Sequence, residues 1–473
     1  IENGRPGVRQ RNLLSEIFMA APQPRLTQGS VGHQLVGMSV PVLFGIFMMM
    51  MQGFIDMWFI GRVGDSELAA LSFAFPVLMI VTSVAIGLGA GTSSVVARAI
   101  GANDHRRARR LATDSLILSF GITAMVSAIG LLTIAPLFRL MGAPEEMIPL
   151  ISGYMRILYV GVPFVVVGMV GMSSMRATGD TRLPSMLMVL ASIINVILDP
   201  ILIFGLGPIP RMELEGAALA GLLARGSIFV GTIYLMRVRL DMLTFNKPDT
   251  KELMSSWRDI LHVGIPAAGT NAIIPVAIGV ITAMLAQYGT DTVAGFGVAS
   301  RVESLTLVMF YALSAVIGPF VGQNISGNRP DRIFRALKLC TLFCLGTGLI
   351  IAVMLAFTGG WVAGLFSENA EVRSVATLFL LVVPISYGAY GIVMVMNASF
   401  NGMGKPMPAV HISIARMVAI YLPLAFVAEK FFGVAGIFAA YALANVITGV
   451  ISYLWARSSV AEQCDKHAVT VPA

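Results

Sequence analysis

The hydrophobic pattern of this chain is dominated by long, unbroken apolar runs. They fall at 34–59, 69–97, 111–137, 150–173, 183–205, 216–236, 259–287, 293–320, 334–358, 374–398, 408–428 and 433–456. Each is close to the ~20 residues an α-helix needs to cross a hydrocarbon core. A membrane β-barrel would show shorter segments with strict apolar–polar alternation, and that alternation is missing. Only a helix then satisfies its own backbone groups in lipid. The pattern predicts an all-α membrane protein with twelve transmembrane helices.

A second pattern repeats across the chain. A shift of 225 positions places Pro41 on Pro266, Gly64 on Gly289, Asn103 on Asn328, Arg107 on Arg332 and Gly179 on Gly404. In blocks, IGANDHRRA (100–108) falls on ISGNRPDRI (325–333). The helices therefore divide into two pseudo-symmetric six-helix lobes. The division reads as a tail (1–33), a first lobe (34–240), a linker (241–258), a second lobe (259–457) and a second tail (458–473). Duplicated membrane chains commonly place a substrate path between their repeats.

Composition agrees: 56% of residues are hydrophobic, 12% are charged, and the mean hydropathy is +0.83. Of the 32 Lys and Arg, 23 fall on the loops and tails of one side. Five (Arg62, Arg139, Arg211, Arg373 and Lys430) fall on the other, and Arg156, Arg225, Arg301 and Arg416 lie within spans. That bias predicts both termini in the cytoplasm and residence in the cell (inner) membrane. The net charge of +7 is then mostly topology, and scattered basic loops do not make a nucleic-acid surface. Residues 1–30 hold no signal-peptide core; the sequence starts at Ile1, and Met19 is a candidate initiator. Cys340 and Cys344, one helical turn apart, read as core packing, and Cys464 lies in the tail. No Walker A motif, HExxH or metal-spaced His/Cys set is present, so neither direct ATP use nor metalloenzyme chemistry is indicated. GLGAG (87–91) lies inside a span, not after a strand, and is no dinucleotide turn. No cofactor is expected.

Function shows in charges placed where they are expensive. An ionised side chain in mid-bilayer costs roughly 2.5–3.5 kcal/mol even on an insertion scale. Arg156 is near a span end and can snorkel. Asp56 in the first span and Asp199 in the fifth lie at similar depth, towards the outer ends of two outward-running helices. Asn195 shares a helix face with Asp199, one turn deeper. Together they can form a pocket for a proton or a small cation; sodium is the metal ion such a set could take. The ionic site is asymmetric, because Ile281 stands where the repeat would put Asp56. Pro41 and Pro266, early in the first span of each lobe, read as paired bend points. Arg301 and Glu303 point to different faces of one helix, with Arg416 the natural partner for Glu303. They read either as a structural ion pair or as a polar patch on a substrate cavity, and Arg225 reads as structural. Met48, Met51, Gln52 and Asn271 are further candidates for a cavity lining. Thioethers suit pockets that accept many shapes.

FIGRVGDSELAALSFAFP (59–76), GLGAGTSSVVARAIGAND (87–104), MRATGDTRLP (175–184), NVILDPILIFG (195–205) and GPFVGQNISGN (318–328) resemble the multidrug and toxic compound extrusion (MATE) family, across roughly residues 34–457. The Asn195/Asp199 pair and the Arg301-x-Glu303 pair are similar to its DinF-like branch. The resemblance implies an ionic site in the first lobe at Asp56, Asn195 and Asp199. Two positions depart from it. Gln52 stands where archaeal members have tyrosine, and Gly221 where members often carry a hydroxyl. The choice between H+ and Na+ therefore stays open. The function implied is secondary active multidrug efflux: amphipathic, often cationic drugs leave by antiport with the ion, from a monomer in the bilayer. The rival is a lipid-linked flippase, for which Arg225, Arg301 and Arg416 would have to face one cavity. An enzyme is not expected.

Overall fold

The computed structural model describes residues 24–205, 209–247 and 249–469, with the side chains of 464–469 excepted. The first 23 residues, including Met19, and the side chain of Cys464 thus lie outside the described residues. The chain is helical almost throughout. A short 3-10 turn (Arg25–Thr27) precedes α1 (Val31–Gly61), α2 (Asp65–Gly101), α3 (His105–Leu140), α4 (Ile148–Ala177), α5 (Arg182–Phe204) and α6 (Glu213–Val238). The second half holds α7 (Thr250–Ala286), α8 (Thr290–Thr306), α9 (Val308–Ser326), α10 (Pro330–Phe366), α11 (Ala370–Val382), α12 (Tyr387–Gly402), α13 (Met407–Ile414) and α14 (Leu422–Val469).

Several of these pieces make one crossing together. α8 and α9 share the eighth span across Leu307, and α11 and α12 share the tenth across the 3-10 turn Val383–Ser386. α13, a π-helical turn (Ala415–Tyr421) and the start of α14 make the eleventh. α14 breaks at Gly433 (φ 55°, ψ −137°), and the break separates the eleventh crossing from the twelfth. Among the described residues, eleven helical stretches are long and apolar enough to span a membrane, and the last, Met407–Gln463, is the one folded in two at Gly433. Twelve crossings result, and the two ends of the described chain emerge on one side, the terminal end.

The duplication is visible in the backbone. Asn103 (φ 59°) and Asn328 (φ 51°) adopt the left-handed conformation in equivalent turns, as do Gly179 (φ 89°) and Gly404 (φ 74°). Asn tolerates this region better than other side chains, because its short amide can bond locally. The same turn chemistry has therefore been kept in both halves.

Packing departs from the simple division in three places. The buried face at the start of α1 (Val31, Leu35, Met38 and Val42) joins the hydrophobic core of the second half. α7 starts at Thr250, so much of the linker 241–258 is the first two turns of the seventh span. Beyond Arg457, α14 continues to Val469 through residues with no Pro or Gly, so most of the tail 458–473 is helical. Cys340 and Cys344 are free and buried in the second-half core.

The hydrogen bonds joining the halves gather at the terminal end. Gln323 Nε2 donates to the Ala177 carbonyl at 2.7 Å, and its Oε1 accepts from the Leu26 N–H at 3.1 Å. Ser94 Oγ donates to the Asn401 carbonyl at 2.5 Å. α2 and α7 cross on glycine: a Cβ on Gly91 would lie 2.3 Å from the Ile260 carbonyl oxygen, and one on Gly87 2.5 Å from that of Gly264. Towards the far end, no hydrogen bond or ion pair joins the halves among the described residues. The polar contacts thus hold the two halves together at the terminal end.

Candidate ion-coupling site

Asp56 and Asp199 each stand five residues before the far end of their helix, at Gly61 and Phe204. At 1.5 Å per residue both carboxylates sit about 7 Å below that end. α1 and α5 pack side by side, and one turn deeper each helix carries an amide on the same face, Gln52 and Asn195. Gln52 Nε2 donates to Asp56 Oδ2 at 3.3 Å and also to Asn195 Oδ1. Asn195 Nδ2 donates to Asp199 Oδ1 at 2.8 Å. A single hydrogen-bonded chain thus runs Asp56–Gln52–Asn195–Asp199 across two helices. Asp199 is fully buried, Asn195 and Gln52 nearly so, and Asp56 is half-buried.

The remaining carboxylate oxygens, Asp56 Oδ1 and Asp199 Oδ2, are buried without a hydrogen-bond partner. The two carboxyl groups lie within hydrogen-bonding reach of each other. Two ionised carboxylates repel at such a distance, so the arrangement favours a proton or cation shared between them. Arg225 on α6 lies within electrostatic reach of Asp199, and Tyr154 on α4 within reach of both Arg225 and Asp56.

Met48, Met51 and Gln52 line a small cleft between α1 and α5 with Ile55, Ser192, Ile193, Val196 and Ile197. Its volume, ≈ 210 Å³, is below the ~300–1,000 Å³ of a drug-sized pocket. Pro41 lies inside an unbroken α1, and Pro266 and Pro275 inside an unbroken α7, so neither Pro41 nor Pro266 interrupts its span. Asn271 bonds its own helix, donating to the Ala267 carbonyl at 2.8 Å, and takes no part in the cleft.

The expected Glu303–Arg416 ion pair does not form within 4.0 Å among the described residues. Arg416 NH1 instead donates to Asn445 Oδ1 at 3.1 Å, and its guanidinium lies 4.4 Å from the Tyr390 ring centroid. The π-helical turn carrying Arg416 directs it to α14 and α12, and Glu303 Oε1 is left buried and unpartnered. Arg301 is exposed. Three groups at the site were not assigned to it from sequence. Gln52 as a bridge had a signal: it precedes Asp56 by four residues, as Asn195 precedes Asp199. Arg225 and Tyr154 had none, because only tertiary packing brings α4 and α6 to the pair.

A model of the MatE family matches residues 41–201 and again residues 266–427, once in each repeat. The chain belongs to that family. It is a membrane transporter and not an enzyme. Among MatE relatives, the FAD transporter of Shewanella oneidensis is 40% identical over 432 residues, covering 91% of this chain and 96% of that protein. The probable multidrug resistance protein YoeA of Bacillus subtilis is 24% identical over 453 residues, covering 93% and 98%. The fold is shared with the MATE transporter VcmN of Vibrio cholerae in its bent form, with TM-score 0.86 and 30% identity over 92% of this chain and 98% of that one.

Proposed function

We propose that this MatE transporter exports its cargo by antiport with H+ or Na+ bound between Asp56 and Asp199, with the terminal end in the cytoplasm. The observation that carries this reading is the buried carboxylate–amide chain linking α1 to α5. Burying two carboxylates is costly unless a cation can neutralise them, and their position near the far end suits entry from outside. Occupancy changes the attraction between α1 and α5. Because the start of α1 is packed in the second half, that change reaches the contacts that hold the halves together. One charge moving down 100 mV supplies about 2.3 kcal/mol, enough for a cargo gradient of roughly 50-fold.

For the cargo, the 40% identity to an FAD transporter favours a flavin dinucleotide over a typical drug. FAD carries a diphosphate, and arginine is a preferred phosphate partner. Arg301, exposed eleven residues into the eighth span, is the candidate contact. Amphipathic drugs are the second reading, supported by the drug-resistance relative and by methionines on α1. The lipid-flippase alternative loses ground because Arg416 is buried against Asn445 and Tyr390 instead of facing a cavity.

The test is flux in proteoliposomes loaded with FAD, riboflavin or ethidium under an imposed ion gradient. FAD efflux that needs the gradient, and that disappears in both Asp56→Asn and Asp199→Asn, is the expected result. Gradient-driven flux that survives in both variants rejects the site.

A further inference from the structure

The geometry points to a binding site for an anionic phospholipid on the terminal side of the second half, in a cleft between α10 and α14. The cleft has a volume of ≈ 690 Å³, and Phe334, Lys338, Tyr453, Leu454, Arg457 and Ser458 are among its walls. Both walls belong to the second half, so the cleft is separate from the meeting of the halves. Its two cations are exposed, and neither has a carboxylate within 4.0 Å among the described residues. The nearest acidic residue along α14, Glu462, pairs with Lys405 at 3.5 Å. On α10, Arg335 is exposed one turn before Lys338, and Asp331 lies two turns before it.

The duplication shows what this place is built to hold. Along α10 the repeat shift is 225, so Phe334 and Lys338 answer to Arg109 and Thr113 on α3. In the last crossing of each half the shift is 220. The buried positions Gly216, Ala220, Ala224 and Thr232 of α6 return as the buried Gly436, Ala440, Ala444 and Ser452 of α14. Arg457 therefore answers to Arg237. In the first half the linker covers all three counterparts. Arg109 pairs with Asp241 at 3.1 Å, the Thr244 N–H donates to Thr113 Oγ1 at 3.0 Å, and the Arg237 guanidinium lies 5.0 Å from the Phe245 ring centroid. Met242 and Leu243 are buried in the first-half core. The linker thus brings a carboxylate and several apolar side chains to this place. In the second half α14 continues as a helix to Val469, and Lys338 and Arg457 stay exposed. An anion with an apolar body would complete the cleft as the linker completes its counterpart.

Depth selects a lipid as that anion. Lys338 stands four residues inside the apolar run 334–358, and Arg457 directly follows the run 433–456. Both cations therefore sit at the boundary between hydrocarbon and water, where long basic side chains reach the phosphate layer. Basic pockets between membrane helices hold anionic headgroups for this reason. Tyr453 is a residue type favoured at the same level. Leu342, Leu345 and Leu349 continue the Lys338 face of α10 into the bilayer, and all three are exposed. A headgroup phosphate held by Lys338 and Arg457 leaves its acyl chains along that face. A free anion would use the two charges alone.

The experiment follows thermal unfolding of the full chain in detergent, and lipid retention by native mass spectrometry. Phosphatidylglycerol and phosphatidylcholine are added at equal mole fraction, with inorganic phosphate as a third arm. Phosphatidylglycerol is expected to raise the melting temperature above the level reached with phosphatidylcholine, and phosphate is expected to leave it unchanged. Lys338→Gln/Arg457→Gln is expected to retain phosphatidylglycerol roughly 30-fold more weakly. Arg106→Gln/Arg258→Gln removes two other exposed charges from the same side and is expected to bind as the wild type does. Arg457→Gln alone, with a loss of roughly fivefold, decides the matter if the double variant does not fold. An equal response of the wild type to both lipids overturns the inference, as does undiminished phosphatidylglycerol binding in the Lys338/Arg457 variant. An equal loss in both double variants also overturns it, because diffuse surface charge then accounts for the binding. A phosphate effect matching that of phosphatidylglycerol would make this an anion site and not a lipid site.

Discussion

Asn195 joins two helices through one side chain, and its burial makes it the most exacting residue of the site. It accepts from Gln52 and donates to Asp199 while only 1% exposed. Asn195→Leu fills the same space but leaves Gln52 with Asp56 as its one acceptor and Asp199 Oδ1 without a donor. Unsatisfied buried polar groups cost about 1–3 kcal/mol each. We expect a lower melting temperature and loss of ion-coupled flux, both partly restored by Asn195→Gln; a stable, fully coupled Asn195→Leu would contradict the hydrogen-bonded chain. The sequence put Asp56 and Asp199 at similar depth and Asn195 one turn deeper, because helix rise and apolar run length set depth. It read Glu303 and Arg416 less well. Their depths allow a pair, but the π-helical turn at Ala415–Tyr421 rotates Arg416 towards Asn445, and no apolar pattern encodes that turn.

Individual helices owe their shapes to a few positions. Gly433 holds a backbone conformation (φ 55°, ψ −137°) that side chains avoid, and the turn between the last two crossings depends on it. Gly433→Ala should lower stability by about 1 kcal/mol or somewhat more, measured as a drop in melting temperature, since Ala at positive φ is strained. The α2–α7 crossing makes a different demand. There the helical backbone is ordinary and space is the limit, because a methyl on Gly91 meets the Ile260 carbonyl at 2.3 Å. Gly91→Ala should push the halves apart at the terminal end. A cysteine introduced by Ser94→Cys, at a position buried between the halves, should then react faster with a soluble maleimide than in the Gly91 parent. Equal reactivity would mean that this crossing is not what closes that end. From sequence the glycines were legible only as general packing residues. Which of them face another helix is settled by the packing.

For the whole molecule, the repeat produces two related clasps of unequal strength. Arg107, at the start of α3, reaches Asp259 on α7 at 3.1 Å and Ser256 at 3.4 Å. Its counterpart Arg332, at the start of α10, reaches Gln34 on α1 at 2.8 Å, and Gln34 is the repeat counterpart of Asp259. Arg332 also donates to the carbonyls of Leu26, Gln28 and Gly29 and to Asn324 Oδ1. It is 9% exposed, whereas the Asp259 side chain is 49% exposed. Exposed ion pairs contribute about 0–1 kcal/mol and weaken with salt, while a buried, multiply bonded guanidinium is much harder to lose. Arg332→Ala should therefore raise labelling at Ser94→Cys strongly, and Arg107→Ala only slightly and mainly at low salt. The reverse order would show that the exposed pair is the stronger lock. The pairing of Arg107 with Arg332 was plain from the 225-residue shift. Their partners were not, because those lie in the opposite half.

The sequence by itself determined twelve crossings, the duplication, the depth of each buried charge and the family likeness. All of these follow from run length, helix rise and residue spacing along one chain. The tertiary structure alone decided that Gln52 and Asn195 connect the two aspartates, that Arg416 turns away from Glu303, and that the start of α1 belongs to the core of the second half. Those outcomes depend on the rotation of one helix against its neighbour. Rotation is set by side-chain contacts between different helices, such as Gln52 with Asn195 and Arg416 with Asn445, which the pattern along a single strand of chain does not record.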